Sequence, residues 1–304
     1  MKLFETVCQR HNRWTVFTDF VHMAAIAVSN TVDKVHAENR EKTYMQMEAQ
    51  YSKKELDCIR NMFAELVLGL DVNTDQDFMG GLFMNLELGN QYRGQFFTPY
   101  CIGRLMAEMT AQKDIIDQKI EKRGWISVND CCCGAGGLLV AFANTCLRFG
   151  VNYQTSVLFT AQDLDTTAAF MCYLQLSLLG CPGYVVIGNT ITNPARCLDR
   201  RALIPAPNQE VWYTPFYFRE VWHYRRIWAQ MDMLFDSAVT ENKAPTDNNP
   251  QPQNSKGKKP KAKKISKAST EKPVSPINST PAEPEIAAIT INLSETKTGQ
   301  LTFF

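Results

Sequence analysis

The chain has no long apolar run. Its most hydrophobic N-terminal stretch, residues 16–28, is interrupted by Asp19 and His22. That makes it too short and too polar for a membrane span, and a poor signal peptide. Net charge is nearly absent, +1 over 304 residues, so no global field draws the protein towards nucleic acid and any basic surface must be local. There are only four histidines and no Cys-x-x-Cys pair, so no zinc-ligand spacing is present. Ten cysteines occur, three of them adjacent at Cys131, Cys132 and Cys133. Neighbouring cysteines do not pair easily, and the set reads as reduced, packed thiols of a cytoplasmic protein. The dinucleotide fingerprint Gly-x-Gly-x-x-Gly is missing as well. What is left is 45% hydrophobic, enough to bury a core in one or two domains.

The most informative stretch is residues 126–142. It begins apolar and β-prone, passes an acid at Asp130, turns on Gly134, Gly136 and Gly137, and runs on as Leu138-Leu139-Val140-Ala141-Phe142. This is a strand, a glycine turn and a helix, with glycine where backbone must reverse and lie close to a ligand. An acid followed by Gly-x-Gly-Gly suits a nucleoside-type cofactor whose amino-acid end meets the loop. A second strand is predicted at 156–161, ending in Gln162-Asp163, and a helix at 166–179, stopped by Gly180 and Pro182. An acid at the end of a second strand is where a nucleotide-binding sheet meets ribose hydroxyls. Asp165 stands where it can instead cap the helix. A third strand, 184–187, ends in Gly188-Asn189-Thr190.

Upstream, residues 1–85 read as a helical domain. Ser52-Lys-Lys-Glu55 is a capping box, and Leu56, Ile59, Phe63, Leu66 and Leu70 form one stripe behind it. Thr98 and Pro99 start a further helix as cap and first residue. Its expected buried face is Ile102, Leu105, Met106 and Met109. After residue 218 an aromatic, basic helix runs to Phe235, with Trp222, Tyr224, Arg225, Arg226 and Trp228. Those side chains suit stacking on DNA and equally suit closing the sheet by burial. From 241 to 298 the composition turns to Pro, Asn, Ser, Thr and Lys, a disordered linker with a basic block at 255–264.

Two segments carry a resemblance. Asp130-Cys-Cys-Cys-Gly-Ala-Gly-Gly137 resembles the Asp-Pro-x-Cys-Gly-Ser-Gly-Gly motif of N6-adenine DNA methyltransferases, above all the methylation subunit of type I restriction-modification systems. Gly94-Gln-Phe-Phe-Thr-Pro99 resembles that family's Gln-Phe-Phe-Thr-Pro segment in order and distance. The likeness covers roughly residues 50–220. It implies an α/β, Rossmann-like core over 86–240 that uses S-adenosylmethionine, with DNA and other restriction-modification subunits as candidate partners, in a bacterium or phage. By the resemblance Phe97, Thr98 and Pro99 lie along the methionine end of the cofactor. Asp130, Gly134 and Gly136 hold it in the turn, Asp163 meets the ribose, and Asn189 stands where the family carries an acid for the adenine.

The family's catalytic Asn-Pro-Pro-Phe/Tyr is absent. The candidate in order is Thr214-Pro-Phe-Tyr217, in which Thr214 replaces Asn, Pro215 keeps the proline and Tyr217 supplies the ring for a flipped base. Three further strands expected of a complete methyltransferase sheet find no room, so the core is read as shortened. The alternative function is a catalytically degenerate, cofactor-binding, DNA-associated module. The last residues, Gln300-Leu-Thr-Phe-Phe304, resemble the bacterial sliding-clamp-binding peptide, with Phe303 for its usual Leu. The competing expectation is a tail folded back as an edge strand near residues 289–293.

Overall fold

The computed structural model describes residues 1–86 and 97–235, and the backbone of 236–241, 294–295 and 301–302. Residues 94–96, the basic block, the predicted strand at 289–293 and residues 300, 303 and 304 lie outside the described residues. Met1–Asp236 and Ile291–Phe304 form one compact unit.

The chain opens with five helices: α1 (Lys2–Cys8), α2 (Arg13–Asn30), α3 (Ala37–Glu48), α4 (Lys53–Val72) and α5 (Phe78–Asn85). The capping box forms as the sequence predicts: Glu55 N–H donates to Ser52 Oγ, and Ser52 N–H donates to Glu55 Oε2. Behind it Ile59, Leu66 and Leu70 are buried. These helices do not hold a core of their own. Phe17 and Phe20 of α2 belong to the same apolar cluster as the sheet residues Val128 and Phe159. Residues 1–85 and the sheet therefore build one body rather than two separately packed ones.

Helices α6 (Tyr100–Thr110) and α7 (Lys113–Arg123) lead into the sheet. α6 corrects two expectations. Its N-cap position is Pro99, with no side-chain cap, and Thr98 is exposed. Its buried residues are Gly103 and Ala107, while Ile102, Leu105 and Met109 are exposed. A Cβ on Gly103 would lie 3.3 Å from Leu138 Cδ2. The small residues let the helix axes approach, and that closeness outweighs the larger apolar stripe.

Strand β1 (Ile126–Asp130), helix α8 (Gly137–Arg148), the single turn α9 (Tyr153–Ser156), β2 (Val157–Asp163), α10 (Thr166–Leu178) and β3 (Gly183–Ile187) follow as parallel strand–helix units. Alternation along the strands feeds two cores. Val157, Phe159, Ala161 and Val185 face α8, α10 and α2, whereas Leu158, Tyr184 and Val186 join Trp125, Tyr217 and Trp222 on the other face. β4 (Glu210–Tyr213) then pairs antiparallel with β3. The 188–209 connection contains no helix, and a parallel return needs a crossover that this loop does not provide. After a 3₁₀ turn at Pro215–Phe218 comes α11 (Glu220–Glu241). Short strands β5 (Ser294–Glu295) and β6 (Leu301–Thr302) complete the order β4-β3-β2-β1-β6-β5, with β6 parallel to β1. The backbone of Leu301–Thr302 thus lies along the edge of β1.

Candidate cofactor site

The glycine turn closes between the carboxyl ends of β1 and β2, the position at which parallel sheets take up ligands. Gly134 and Gly136 adopt positive φ, 53° and 90°, which L side chains rarely adopt. Cys133 N–H donates to Gln162 O, and Gly136 N–H donates to Cys133 O. A pocket of about 210 Å³ opens above the turn. Of the residues expected to hold a cofactor, Phe97, Thr98, Gly134 and Asp163 line it together. Pro99, Asp130, Gly136 and Asn189 do not.

Each of those four has a visible occupation. Pro99 begins α6. Asp130 is fully buried beneath the turn. Gly136 packs on α10, where an added Cβ would come 2.8 Å from Cys172 Sγ. Asn189 Oδ1 accepts from Ile191 N–H and Thr192 N–H and so caps the turn after β3. Asp165, as the sequence allows, caps α10 through Ala168 N–H at 2.9 Å.

Three carboxyl groups meet at this site, and among the described residues no lysine or arginine lines it. Asp163 Oδ2 accepts from Gly134 N–H at 2.8 Å and Oδ1 accepts from Asp165 N–H. A carboxylate has about four acceptor positions, so capacity for hydroxyls remains. Burial pushes the Asp163 carboxyl above its ordinary value. Asp130 Oδ1 accepts from Cys132 N–H, while Oδ2 has no partner among the described residues. Burial drives Asp130 up to about 6, against the Cys132 N–H bond, and the Asp163 charge adds to the rise.

The third acid, Asp77, was not anticipated. It caps α5 by accepting from Gly80 N–H, accepts from Gln175 Nε2, and lines the pocket beside Gly137. Burial raises its carboxyl too. Its only sequence signal is that of an ordinary N-cap, because α5 reaches the turn solely through tertiary packing.

Thr214, Pro215 and Tyr217 are not brought to this pocket. Thr214 is fully buried; its Oγ1 donates to Cys181 O at 2.7 Å and accepts from Gly183 N–H at 3.0 Å, tying β4 to the start of β3. Pro215 opens the 3₁₀ turn. Tyr217 is buried in the opposite core, stacked on Tyr213 at 4.9 Å, and its hydroxyl donates to Leu203 O at 2.6 Å. The expected catalytic triple therefore serves as internal bracing, because β4 runs back along β3 rather than beside the turn.

A parallel β1–β2–β3 core, a positive-φ glycine turn and an acid ending each of the first two strands define a Rossmann-like methyltransferase core. The profile of the N-6 DNA Methylase family matches residues 82–242, just over half of the chain, and the chain belongs to that family. Among solved structures it is similar to the type I restriction-modification methyltransferase subunit of Streptococcus thermophilus, with TM-score 0.34, 16% identity, and coverage of 60% of this chain and 41% of that one. It is also similar to a Listeria monocytogenes protein described as a class I S-adenosylmethionine-dependent methyltransferase, with TM-score 0.33, 15% identity, and coverage of 69% and 65%. The chain thus spans less than half of the first and about two thirds of the second. No curated protein matches it.

S-adenosylmethionine is the cofactor that family membership implies, and the pocket's chemistry fits it. The sulfonium and ammonium of that molecule are cations. Asp77 and Asp163 line the pocket with Asp130 below, whose Oδ2 has no partner among the described residues, and no lysine or arginine among the described residues lines it to oppose them. No helix among the described residues is long and apolar enough to cross a membrane.

Proposed function

We propose that this chain is an S-adenosylmethionine-dependent, DNA adenine-N6 methyltransferase-like protein that supplies the cofactor-binding half of the reaction. What supports this is the convergence of Phe97, Thr98, Gly134 and Asp163 on one acid-lined pocket, together with the family membership. When bound, the cofactor supplies an electrophilic methyl group. Asp163 would accept from the ribose hydroxyls, Phe97 would cover the turn, and the carboxylates would balance the cofactor's positive charge. DNA is the proposed substrate. The locked Thr214 favours a second element of the reading: the acceptors for the adenine amine come from a partner subunit, or are lacking, as in a degenerate DNA-associated module.

A pH series of calorimetric titrations with S-adenosylmethionine tests the site. A raised carboxyl must lose its proton before it can neutralise a cation. Affinity should therefore rise with pH, approaching about tenfold per unit below about 6, with proton release on binding, and level off above the Asp130 value of about 6. Asp163→Asn should weaken binding by roughly ten- to a hundredfold, the range for a hydrogen bond to a charged acceptor. An affinity that is flat with pH and untouched by Asp163→Asn would mean that the cofactor, if bound, sits elsewhere.

The C-terminal peptide is proposed to bind a sliding clamp, with Leu301 and Phe304 as apolar anchors. Leu301–Thr302 pairs with β1, so clamp and sheet would compete for it. Fluorescence anisotropy of a labelled peptide of residues 296–304 against purified clamp should show binding. Equal binding by a Leu301→Ala, Phe304→Ala peptide would remove the idea.

A further inference from the structure

A second cleft lies away from the glycine turn. It measures about 850 Å³ and sits at the amino ends of β1 and β2, whereas Asp130 and Asp163 stand at their carboxyl ends. Arg123, Arg200, Arg201 and Arg225 line it, with Trp228 and Phe235 of α11.

Two of the four arginines are built in, while Arg123 and Arg200 are exposed. The Arg201 guanidinium stacks 3.8 Å over the Trp125 ring, and its Nη2 donates to the carbonyls of Arg123 and Trp125. Arg225 lies 4.4 Å over Trp222 and donates to the carbonyls of Thr155 and Gly124. Carbonyls satisfy hydrogen bonds but leave the charge uncompensated, and none of the four forms an ion pair among the described residues. Burial first, then the nearby Arg123 and Arg225 charges, pulls the Arg201 guanidinium down to about 10. Two acids share the cleft. Asp199 is engaged as a turn cap, accepting from Arg201 N–H and Ile204 N–H, and Asp232 leaves a surplus of positive charge. On the same wall Trp228 and Phe235, both 64% exposed, are seven residues apart and so lie on one helix face, about 10 Å apart along the axis.

We propose that this cleft binds a single-stranded nucleic acid, its phosphates on the arginines and its bases on Trp228 and Phe235. Fixed guanidiniums with flat, exposed rings are what an unpaired strand requires. Paired bases offer only their edges to a groove, so a duplex would leave the rings unused. A free polyphosphate would use the arginines alone. The site needs neither the cofactor nor adenine, so it stands or falls apart from the methylation reading.

The test uses the full chain, no cofactor, and a fluorescent oligothymidine of roughly a dozen nucleotides, within the usual site sizes. Trp228→Ala and Arg200→Glu both alter exposed side chains, and their thermal unfolding should match the parent. Each should weaken binding on the order of tenfold, and Arg200→Glu should flatten the salt dependence. Photo-crosslinks from a 4-thiothymidine strand should fall in α11. Unchanged binding by both variants would overturn the proposal, as would crosslinks confined to residues 255–264. Equal affinity for a duplex of the same length, or equal competition by inorganic tripolyphosphate, would overturn the single-strand assignment.

Discussion

Purified on its own, the chain should transfer methyl groups to adenine-containing DNA about 10²–10³ times more slowly than a family member with an intact Asn-Pro-Pro-Phe/Tyr, the usual cost of losing one preorganised acceptor. Installing the missing amide by Thr214→Asn should not restore the rate. The Thr214 hydroxyl lies in a fully buried site and is already engaged at Cys181 O and Gly183 N–H. An asparagine there would be overpacked by about 1–3 kcal/mol and would still face the β3–β4 seam. Tyr217 cannot reach a base while it stacks on Tyr213 and donates to Leu203 O. Tritiated-methyl transfer to plasmid DNA, with thermal unfolding of both proteins, decides the matter. A folded Thr214→Asn variant that gains tenfold or more would show that this segment does reach the target base.

Gly136→Val should leave little folded protein. The residue sits at φ +90°, and its Cβ would stand 2.8 Å from Cys172 Sγ and 3.2 Å from Cys172 Cα. The sulfur can shift; the backbone carbon of α10 cannot move without the helix. A β-branched residue in left-handed backbone costs about 1–3 kcal/mol, and overpacking adds about 1–3 kcal/mol. The sum of about 2–6 kcal/mol takes a large share of the 5–15 kcal/mol typical of a whole domain. Urea unfolding should show the loss directly. Gly81→Ala is the control: nothing lies within 4 Å of its Cβ, and in helix α5 it should gain up to about 1 kcal/mol. A Gly136→Val protein as stable as the parent, yet unable to bind the cofactor, would return Gly136 to the ligand surface. The packing assigns it instead to the joint between α8 and α10.

Sequence alone determined the features that depend on neighbours along the chain. The strand–turn–helix at 126–148, the acid ending β2, the Asp165 cap and the Ser52–Glu55 box are local. Each is set by turn chemistry, or by a side chain reaching its own backbone within a few residues. The two family motifs are local in the same way, and Phe97, Thr98 and Gly134 meet as they imply. Tertiary structure decided whatever depends on a partner element. The apolar stripe of α6 matches the helical period, yet Gly103 and Ala107 face α8, because close approach is a property of two surfaces together. Arg219 to Phe235 left stacking and burial equally open. The fold divided them, burying Trp222 and leaving Trp228 exposed, according to how α11 lies on the second core. Asp77 reached the pocket because α5 packs on Gln175. Thr214 left it because β4 runs antiparallel beside β3. Strand direction and edge choice are fixed by pairing across the sheet, and the order of residues within one strand carries no record of them.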